Sequence, residues 1–164
     1  MADVFFGEDI KIYVKKDDPV ATSFSASDEI TTSIFSFDVS GGEFERDTKP
    51  LLGNAQITID KPQSEIEISM DVAIKSSNST VWDELLYGSG LTSATRADPV
   101  SLGIEASDGT NTYQILFNNV RSVSFEKSME AGEYLQGTFK FSLAPTDSDG
   151  NANVQIGSNV FTVA

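Results

Sequence analysis

The stretch from Val120 to Leu143 constrains the fold more than any other part of this chain. Apolar and polar residues alternate on both sides of a short polar break, with apolar positions at Val123, Phe125, Leu135, Phe139 and Phe141. A period of two places alternate side chains on opposite faces of a β-strand. Gly132, within the break, suits a tight connection between two strands. The stretch therefore predicts a long β-hairpin whose apolar face must be covered by another layer of the protein.

Further segments with strand periodicity surround this hairpin. The cleanest is Ile66 to Lys75, where aliphatic and polar residues alternate over nearly the whole length. The turn signal Ser107–Asn111 lies between two apolar runs and predicts a second hairpin. Shorter runs predict further strands at Ile10–Val14, Ile34–Val39, Ala55–Asp60 and Val154–Val163. The chain is therefore expected to be mainly β.

One segment has helical periodicity instead. Thr80 and Asp83 have the spacing of a capping box, which satisfies free N–H groups at a helix start. Apolar residues that include Trp82 follow at intervals of three and four. Gly88 lies where a C-terminal cap belongs. The pattern predicts a helix of about two turns over residues 80–87, with Trp82 closing an open end of the sheet.

Composition excludes several function classes. The chain has 164 residues, which favours a single domain over residues 1–164 with a core of its own. It contains no Cys and no His. Disulfides, thiol chemistry and the ordinary serine- and cysteine-triad hydrolases are therefore excluded, along with the commonest metal ligand and general base. No phosphate-binding glycine loop is present, and we expect no cofactor and no enzyme activity.

The chain contains only part of a calcium-loop pattern. Asp147, Asp149 and Asn151 resemble the first half of a calcium-binding loop. Such a loop then requires Gly and Glu at two further positions, where this chain has Ala152 and Ser158. We therefore expect no metal site there.

The net charge of −14 limits the possible partners. Neutralising nucleic-acid phosphates needs Lys and Arg, so the charge argues against wrapping nucleic acid. It is compatible with a surface past which nucleic acid slides, and equally with plain solubility. The N-terminal residues lack the basic start and apolar run of a signal peptide, and no segment reaches the ~20 apolar residues of a membrane span. We expect synthesis in the cytosol and no membrane partner.

The segment from Ser40 to Asn54 is the most irregular part of the chain. Its candidate contact residues are Gly41, Gly42, Phe44, Leu51 and Leu52. Glycines free the backbone, and apolar side chains stand among charged ones. Long loops of this kind are usually functional or disordered. Two interpretations are open: an extended arm that becomes ordered on a partner, or a loop that folds back on its own core.

Two carboxylates lie on the polar side of the cleanest predicted strand. Glu67 and Asp71 are four residues apart and share one face, roughly 13 Å from each other at ~3.3 Å per residue. This spacing favours a solvated sheet face over a catalytic acid–base pair.

The order of these elements resembles that of the tail tube (major tail) proteins of bacteriophages. The resemblance is carried by the span from Val72 to Val154: a strand, the helix T-V-W-D-E-L-L-Y-G, a hairpin, and a closing hairpin. In the closing hairpin an acidic–Gly–acidic turn precedes G-T-F-K-F. The same fold is shared with the tube-forming haemolysin-coregulated proteins of type VI secretion.

The resemblance implies an antiparallel β-sandwich or partial barrel with one short helix, whose strands join a closed barrel in a hexameric ring. Rings stack into a tube through which DNA passes without specific binding. Partners would be further copies of the chain and the sheath, tape-measure, baseplate and terminator proteins of a virion tail. The arm would supply subunit and ring contacts through Gly41, Gly42, Phe44, Leu51 and Leu52. Glu67 and Asp71 would face the lumen, although their face could equally point outwards.

Three alternatives are open on sequence alone. A carbohydrate-binding or adhesin-type β-sandwich of a phage fibre or baseplate would use Trp82, Tyr87 or Tyr113 for stacking on sugars. An enzyme is disfavoured by the missing His and Cys. A type VI secretion tube protein is not distinguishable from a phage tube protein, nor a contractile tail from a non-contractile one.

Overall fold

Antiparallel β-strands dominate a computed structural model that describes residues 9–164. Residues 1–8, in which we expected no export signal, lie outside the described part. The described residues form eleven strands and one α-helix: β1 (Ile10–Lys15), β2 (Ser23–Phe24), β3 (Ile34–Gly41), β4 (Arg46–Pro50), β5 (Gln56–Asp60), β6 (Ile66–Ala73), α1 (Val81–Tyr87), β7 (Val100–Ser107), β8 (Thr112–Ser128), β9 (Gln136–Leu143), β10 (Val154–Gly157) and β11 (Thr162–Val163). The predicted fold class, mainly antiparallel β with one short helix, is confirmed at this level. Each segment predicted as a strand contains one.

Seven of the strands form the main sheet, in the order β1-β7-β8-β9-β6-β3, with β10 also paired to β8. Strand β8 is 17 residues long and belongs to both halves of this sheet. Its first half pairs with β7 on one side and β10 on the other, and its second half pairs with β9. Because β9 and β7 lie on opposite sides of β8, β10 continues the line of β9 after the excursion of residues 144–153.

The long hairpin predicted over Val120–Leu143 is confirmed as β8 and β9. One side chain, however, lies on a different face of the sheet from the one predicted. Val123 was placed on the apolar face, and the structure leaves it 53% exposed while Ser122 is buried. The register shifts between Ser122 and Ser124, so Val123 is an extra, bulged residue that reverses the alternation. The buried Ser122 hydroxyl is satisfied because it donates to the carbonyl oxygen of Leu85 in α1.

The second predicted hairpin, β7 and β8, is also confirmed. Its turn is fixed by Asp108, whose Oδ1 accepts hydrogen bonds from the backbone N–H groups of Thr110 at 2.8 Å and Asn111 at 2.7 Å. The N–H of Asn111 is the largest cause of a lowered pKa of the Asp108 carboxyl, because hydrogen bonds to a carboxylate favour its charged form.

Strand β8 runs without interruption through Asn118 and Asn119, from its pairing with β7 into its pairing with β9. Asn119 has a φ of 55°, a left-handed conformation that Asn tolerates better than most residues. The N–H of Asn118 donates to the carbonyl oxygen of Asn153 at 2.7 Å. An irregular residue therefore joins the two halves of β8 within one strand.

The predicted helix is confirmed as α1, with Trp82 only 1% exposed. Its indole lies 5.6 Å from the ring of Phe139, between ring centroids, and so covers the apolar face of the sheet. Gly88 caps the C-terminus with a φ of 77°. The predicted capping box is not formed: Thr80 is the N-cap residue, and its hydroxyl donates to Oε1 of Glu84 instead of accepting from the backbone. No helix among the described residues is long and apolar enough to cross a membrane.

Two apolar clusters cover the sheet unequally. The larger cluster lies on one face and includes α1 and residues from both halves of the sheet. The smaller cluster, on the opposite face, consists of Tyr13, Ala21, Phe24, Leu116 and Phe161. It covers only the half built from β1, β7 and the first part of β8. The other half therefore has one buried face and one polar face.

The segment Ser40–Asn54 was predicted to be irregular, and the structure differs. It contains β4, which pairs with β5 in full register from Arg46 opposite Asp60 to Pro50 opposite Gln56. Sequence periodicity did not predict this strand, because β4 has no alternating apolar residues and buries none of its side chains.

We expect Phe139→Ala to lower the free energy of unfolding by about 3–5 kcal/mol, since it deletes a fully buried ring. Phe35→Ala is the matched control, because Phe35 is 56% exposed and, among the aromatic rings of residues 9–164, stacks only with Tyr134. That change should cost no more than about 1.5 kcal/mol, the upper value for one aromatic pair. Urea unfolding followed by Trp82 fluorescence measures both, and equal losses would contradict the core described above.

Candidate functional site

The β4–β5 hairpin continues the pairing of β3 with β6 beyond the main sheet. Between the two pairs, the N–H of Gly42 donates to the carbonyl oxygen of Glu65 at 3.2 Å. The N–H of Glu43 donates to Oγ of Ser64 at 2.9 Å, and the N–H of Ser64 returns a bond to the carbonyl oxygen of Glu43. The hairpin is therefore a projection joined to the sheet by hydrogen bonds along both strands.

Two predicted contact residues, Gly41 and Gly42, lie at the base of this projection. Both have left-handed conformations, with φ of 86° and 67°. A Cβ at Gly41 would lie 2.1 Å from the carbonyl oxygen of Glu65, so only glycine fits there. Gln63 also donates from Nε2 to the carbonyl oxygen of Gly42 at 2.6 Å. These residues set the direction of the hairpin relative to the sheet.

The other predicted contact residues are exposed on the projection. Phe44 is 82% exposed, Leu51 52% and Leu52 100%. Nothing in the described chain covers them, so this segment does not fold back on its own core. Sequence reasoning missed Ile57 and Ile59, which are 44% and 47% exposed on β5. Their alternation predicted the strand, but the two residues were not identified as candidate contact residues.

Charged residues concentrate at the base of the hairpin. Arg46 pairs with Asp60 at 2.7 Å, and Lys61 lies 3.2 Å from Glu45 and 3.5 Å from Asp47. All these pairs are solvent-exposed, so each contributes about 0–1 kcal/mol. They orient the two strands more than they stabilise them.

The face opposite the core on strands β3, β6, β9 and the second half of β8 is polar, and we call it the polar face. Glu67 and Asp71 both point from it into solvent, as their shared spacing predicted. Asp71 accepts hydrogen bonds from the hydroxyls of Ser36 at 3.0 Å and Thr138 at 2.8 Å. Its carboxylate thereby ties three neighbouring strands together.

The polar face also carries charges that the sequence did not assign to it. The strand registers place two further carboxylates and two cations on it: Asp38, Glu126, Arg121 and Lys140. All four are exposed. Their position depends on cross-strand register, which single-strand periodicity does not reveal. The face is therefore acidic on balance, with four carboxylates against two cations.

Both flanks of this polar half-sheet are unpaired among the described residues. Strand β3 pairs only with β6, and no strand lies beside β8 beyond Val120 on the side where β7 ends. Arg96 donates from Nη2 to the carbonyl oxygen of Ser122 at the start of that flank. The outer edge of β1, in contrast, is covered: the N–H of Ile30 donates to the carbonyl oxygen of Ile12 at 2.9 Å.

The alternative sites considered from the sequence have weaker support in the geometry. Trp82 is buried and is not available to stack on a sugar, while Tyr113 is 42% exposed. Oδ1 of Asp147 accepts from the N–H groups of Asn151 and Asp149 within its own turn. Within residues 9–164, no group of three or more Asp or Glu side chains is arranged to hold a metal ion.

No protein-family model matches the sequence, and no curated protein matches it significantly. The fold is similar to chains of solved contractile injection systems. A chain in the cryo-EM structure of the anti-feeding prophage tube terminating cap has a TM-score of 0.62 and 10% identity, covering 96% of this chain and 93% of that one. The sheath/tube terminator of an extracellular contractile injection system in its extended state has a TM-score of 0.59 and 12% identity, covering 90% of this chain and 92% of that one.

A chain of the sheath–tube complex of such an extracellular system is similar to the same degree, with a TM-score of 0.59 and 12% identity over 91% of this chain and 88% of that one. At these identities the likeness is one of fold alone. It covers most of each chain, so the similarity includes the whole arrangement of strands and not one motif.

We expect Asp71→Ala to lower the free energy of unfolding by about 1 kcal/mol, because two cross-strand hydrogen bonds to a carboxylate are lost at an exposed site. Glu67→Ala, on the same strand and face, removes a carboxylate without a comparable hydrogen bond in the described part of the chain. That control should stay within about 0.5 kcal/mol of the wild type. Chemical denaturation compares the two, and a larger loss for Glu67→Ala would refute this account of the polar face.

Proposed function

We propose that this chain is a structural subunit of a phage-tail-like tube, in which copies form hexameric rings that stack around a lumen. The observation that carries the proposal is the polar half-sheet, whose two flanks, β3 and the second half of β8, have no partner strand within residues 9–164. The fold likeness to tube-terminating and sheath–tube chains of injection systems supports it. The role is structural and requires no catalysis.

Unpaired strand edges normally invite uncontrolled association, and proteins cover, shorten or close them. Here the β3 flank of one copy and the β8 flank of the next supply the two edges of a shared sheet. Repeating this contact around a ring leaves no lateral edge, as in any closed barrel. The proposed ring therefore satisfies backbone groups that a single copy leaves open to solvent.

The β4–β5 hairpin supplies the proposed contacts between copies. An isolated two-stranded hairpin is marginally stable in water. This one also exposes Phe44, Leu51, Leu52, Ile57 and Ile59 together. Clustered exposed apolar side chains mark interaction sites. We assign the hairpin to contacts with neighbouring copies, which would cover these side chains.

The polar face is the proposed lining of the lumen. Glu67 and Asp71, with the two further carboxylates of this face, would repel DNA phosphates and let DNA pass without binding. The two cations on the face moderate this repulsion locally. In this role the chain would belong to a virion tail, with tape-measure, sheath, baseplate and terminator proteins as partners and synthesis in the host cytoplasm.

A tube terminator is the second candidate function. It is favoured by the fold likeness to a tube terminating cap, which has the highest TM-score of the chains described above. A terminator and a tube subunit would share the ring, and they differ in whether rings continue to stack. Polymer length therefore distinguishes the two functions.

Negative-stain electron microscopy of the purified protein tests the function directly. A tube subunit is expected to give hollow tubes or stacked rings with six-fold end views, because head-to-tail contacts leave one axis open. Single rings that never stack would favour the terminator. A monodisperse monomer at all concentrations would rule out both.

Phe44→Ala tests the hairpin. We expect it to raise the concentration needed for assembly while leaving the monomer folded, because Phe44 is 82% exposed and contributes little to the core. Thr58→Ala, a polar truncation on the same hairpin, is the matched control and should assemble like the wild type. Sedimentation measures assembly and thermal melting measures the fold. If Phe44→Ala assembles at the same concentration as the wild type, the hairpin does not form the contact between copies.

A further inference from the structure

An apolar groove of about 250 Å³ lies between β1 and the start of β3. Its apolar lining consists of Ile10, Ile12, Ile34, Phe35 and Phe37, with two hydroxyl side chains and no charged residue. Phe35 is 56% exposed at its mouth. The groove is smaller than the ~300–1,000 Å³ of typical small-molecule sites. Its size and chemistry suit one or two aliphatic side chains.

The same chain carries a segment of matching chemistry. The outer part of the β4–β5 hairpin, Thr48–Ile59, has Lys49 as its one charged residue. All 25 carboxylates of the chain lie elsewhere. Its tip exposes Leu51 and Leu52, the latter completely. Because of Lys49, this segment can approach another copy, of net charge −14, with attraction and not repulsion.

A copy does not present its tip to its own groove. The groove lies beside residues 34–37, at the start of β3, whereas the hairpin leaves from the other end of β3 after Gly41. The hairpin continues the β3–β6 pair outward from that end. Donor and receiver are therefore at opposite ends of one strand.

We infer that the groove between β1 and β3 receives Leu51 and Leu52 from the hairpin tip of a second copy. The inference rests on the proposed function and specifies which surface of the neighbour the hairpin contacts. Burial of the two side chains removes apolar surface from water, which favours association. Lys49 remains at the rim, close to an acidic neighbour.

This contact is head-to-tail, because each copy donates a tip at one end and offers a groove at the other. Such contacts propagate into rings or filaments. A chain with both halves of the contact can bind a further copy of itself at each step. Within one ring the contact would serve a tube subunit and a terminator alike, whereas between successive rings it would serve a tube subunit alone.

Disulfide cross-linking tests the contact cleanly, because the natural chain has no Cys. Leu52→Cys is mixed with Ser36→Cys under assembly conditions and oxidised. The control mixture pairs Leu52→Cys with Thr110→Cys, an exposed position in the β7–β8 turn. We expect a covalent dimer joining positions 52 and 36, seen on a non-reducing gel and mapped by mass spectrometry, and none joining positions 52 and 110.

Two readouts separate failure of this contact from failure of the proposed function. Thermal melting first establishes that each variant is folded, and microscopy of the same samples shows whether rings or tubes are present. If assemblies form and positions 52 and 36 do not cross-link, or cross-link no more than the control pair, the groove is not the receiver and the tube function stands. If the wild type forms no assembly at all, the proposed function and this contact both fail.

Discussion

The continuous backbone pairing of β8 is the constraint on which the rest of the structure depends. Its first half is paired on both sides, by β7 and β10, and its second half on one side, by β9. The strand stays continuous because Asn119 adopts a φ of 55° and Asn118 bonds to Asn153 across the gap between β9 and β10. The same arrangement leaves half of one flank without a partner strand. The open edge thus follows from the topology and not from local disorder.

The two halves of the sheet also differ in whether their outer face is covered by apolar residues, and this difference decides which face is polar. Where Phe24 and Phe161 pack edge-to-face at 5.1 Å, between ring centroids, the sheet is covered on both sides. They fit because β7 has Gly103 beneath them: a Cβ there would lie 2.8 Å from the ring of Phe24. Tyr13 completes this cluster. Beyond it, the outer surface of β9 and β6 carries polar side chains and exposed carboxylates, and Phe35 and Tyr134 stack beside Asp71 and Thr138. Both halves of the sheet therefore share the buried core on one face, and the half without the second cluster leaves its other face available for contacts.

Sequence periodicity predicted the features that are set within one segment of the chain. It missed the features that depend on which strands pair and in which register. Both hairpins and α1 were predicted, and so was the shared face of Glu67 and Asp71, because each follows from spacing within one element. The bulge at Val123 was not, since a bulge is defined only relative to the partner strand. Strand β4 was missed because its order comes from β5 and not from buried side chains. The extra charges of the polar face and the groove beside β3 required the sheet order, which periodicity does not contain.

Assembly of so acidic a chain poses an electrostatic problem that the distribution of charge resolves. Copies of net charge −14 repel one another, yet at physiological ionic strength the repulsion is screened beyond about 8 Å. Only the groups that meet directly must therefore avoid like charge. The surfaces assigned to contacts are backbone edges, which carry no net charge, and a hairpin tip and groove without a single carboxylate. On the polar face, Asp71 borders the groove through its hydrogen bond with Ser36, and its carboxylate is stabilised by the hydroxyls of Ser36 and Thr138. The proposed subunit can then associate through neutral chemistry while presenting an acidic surface to whatever passes along it.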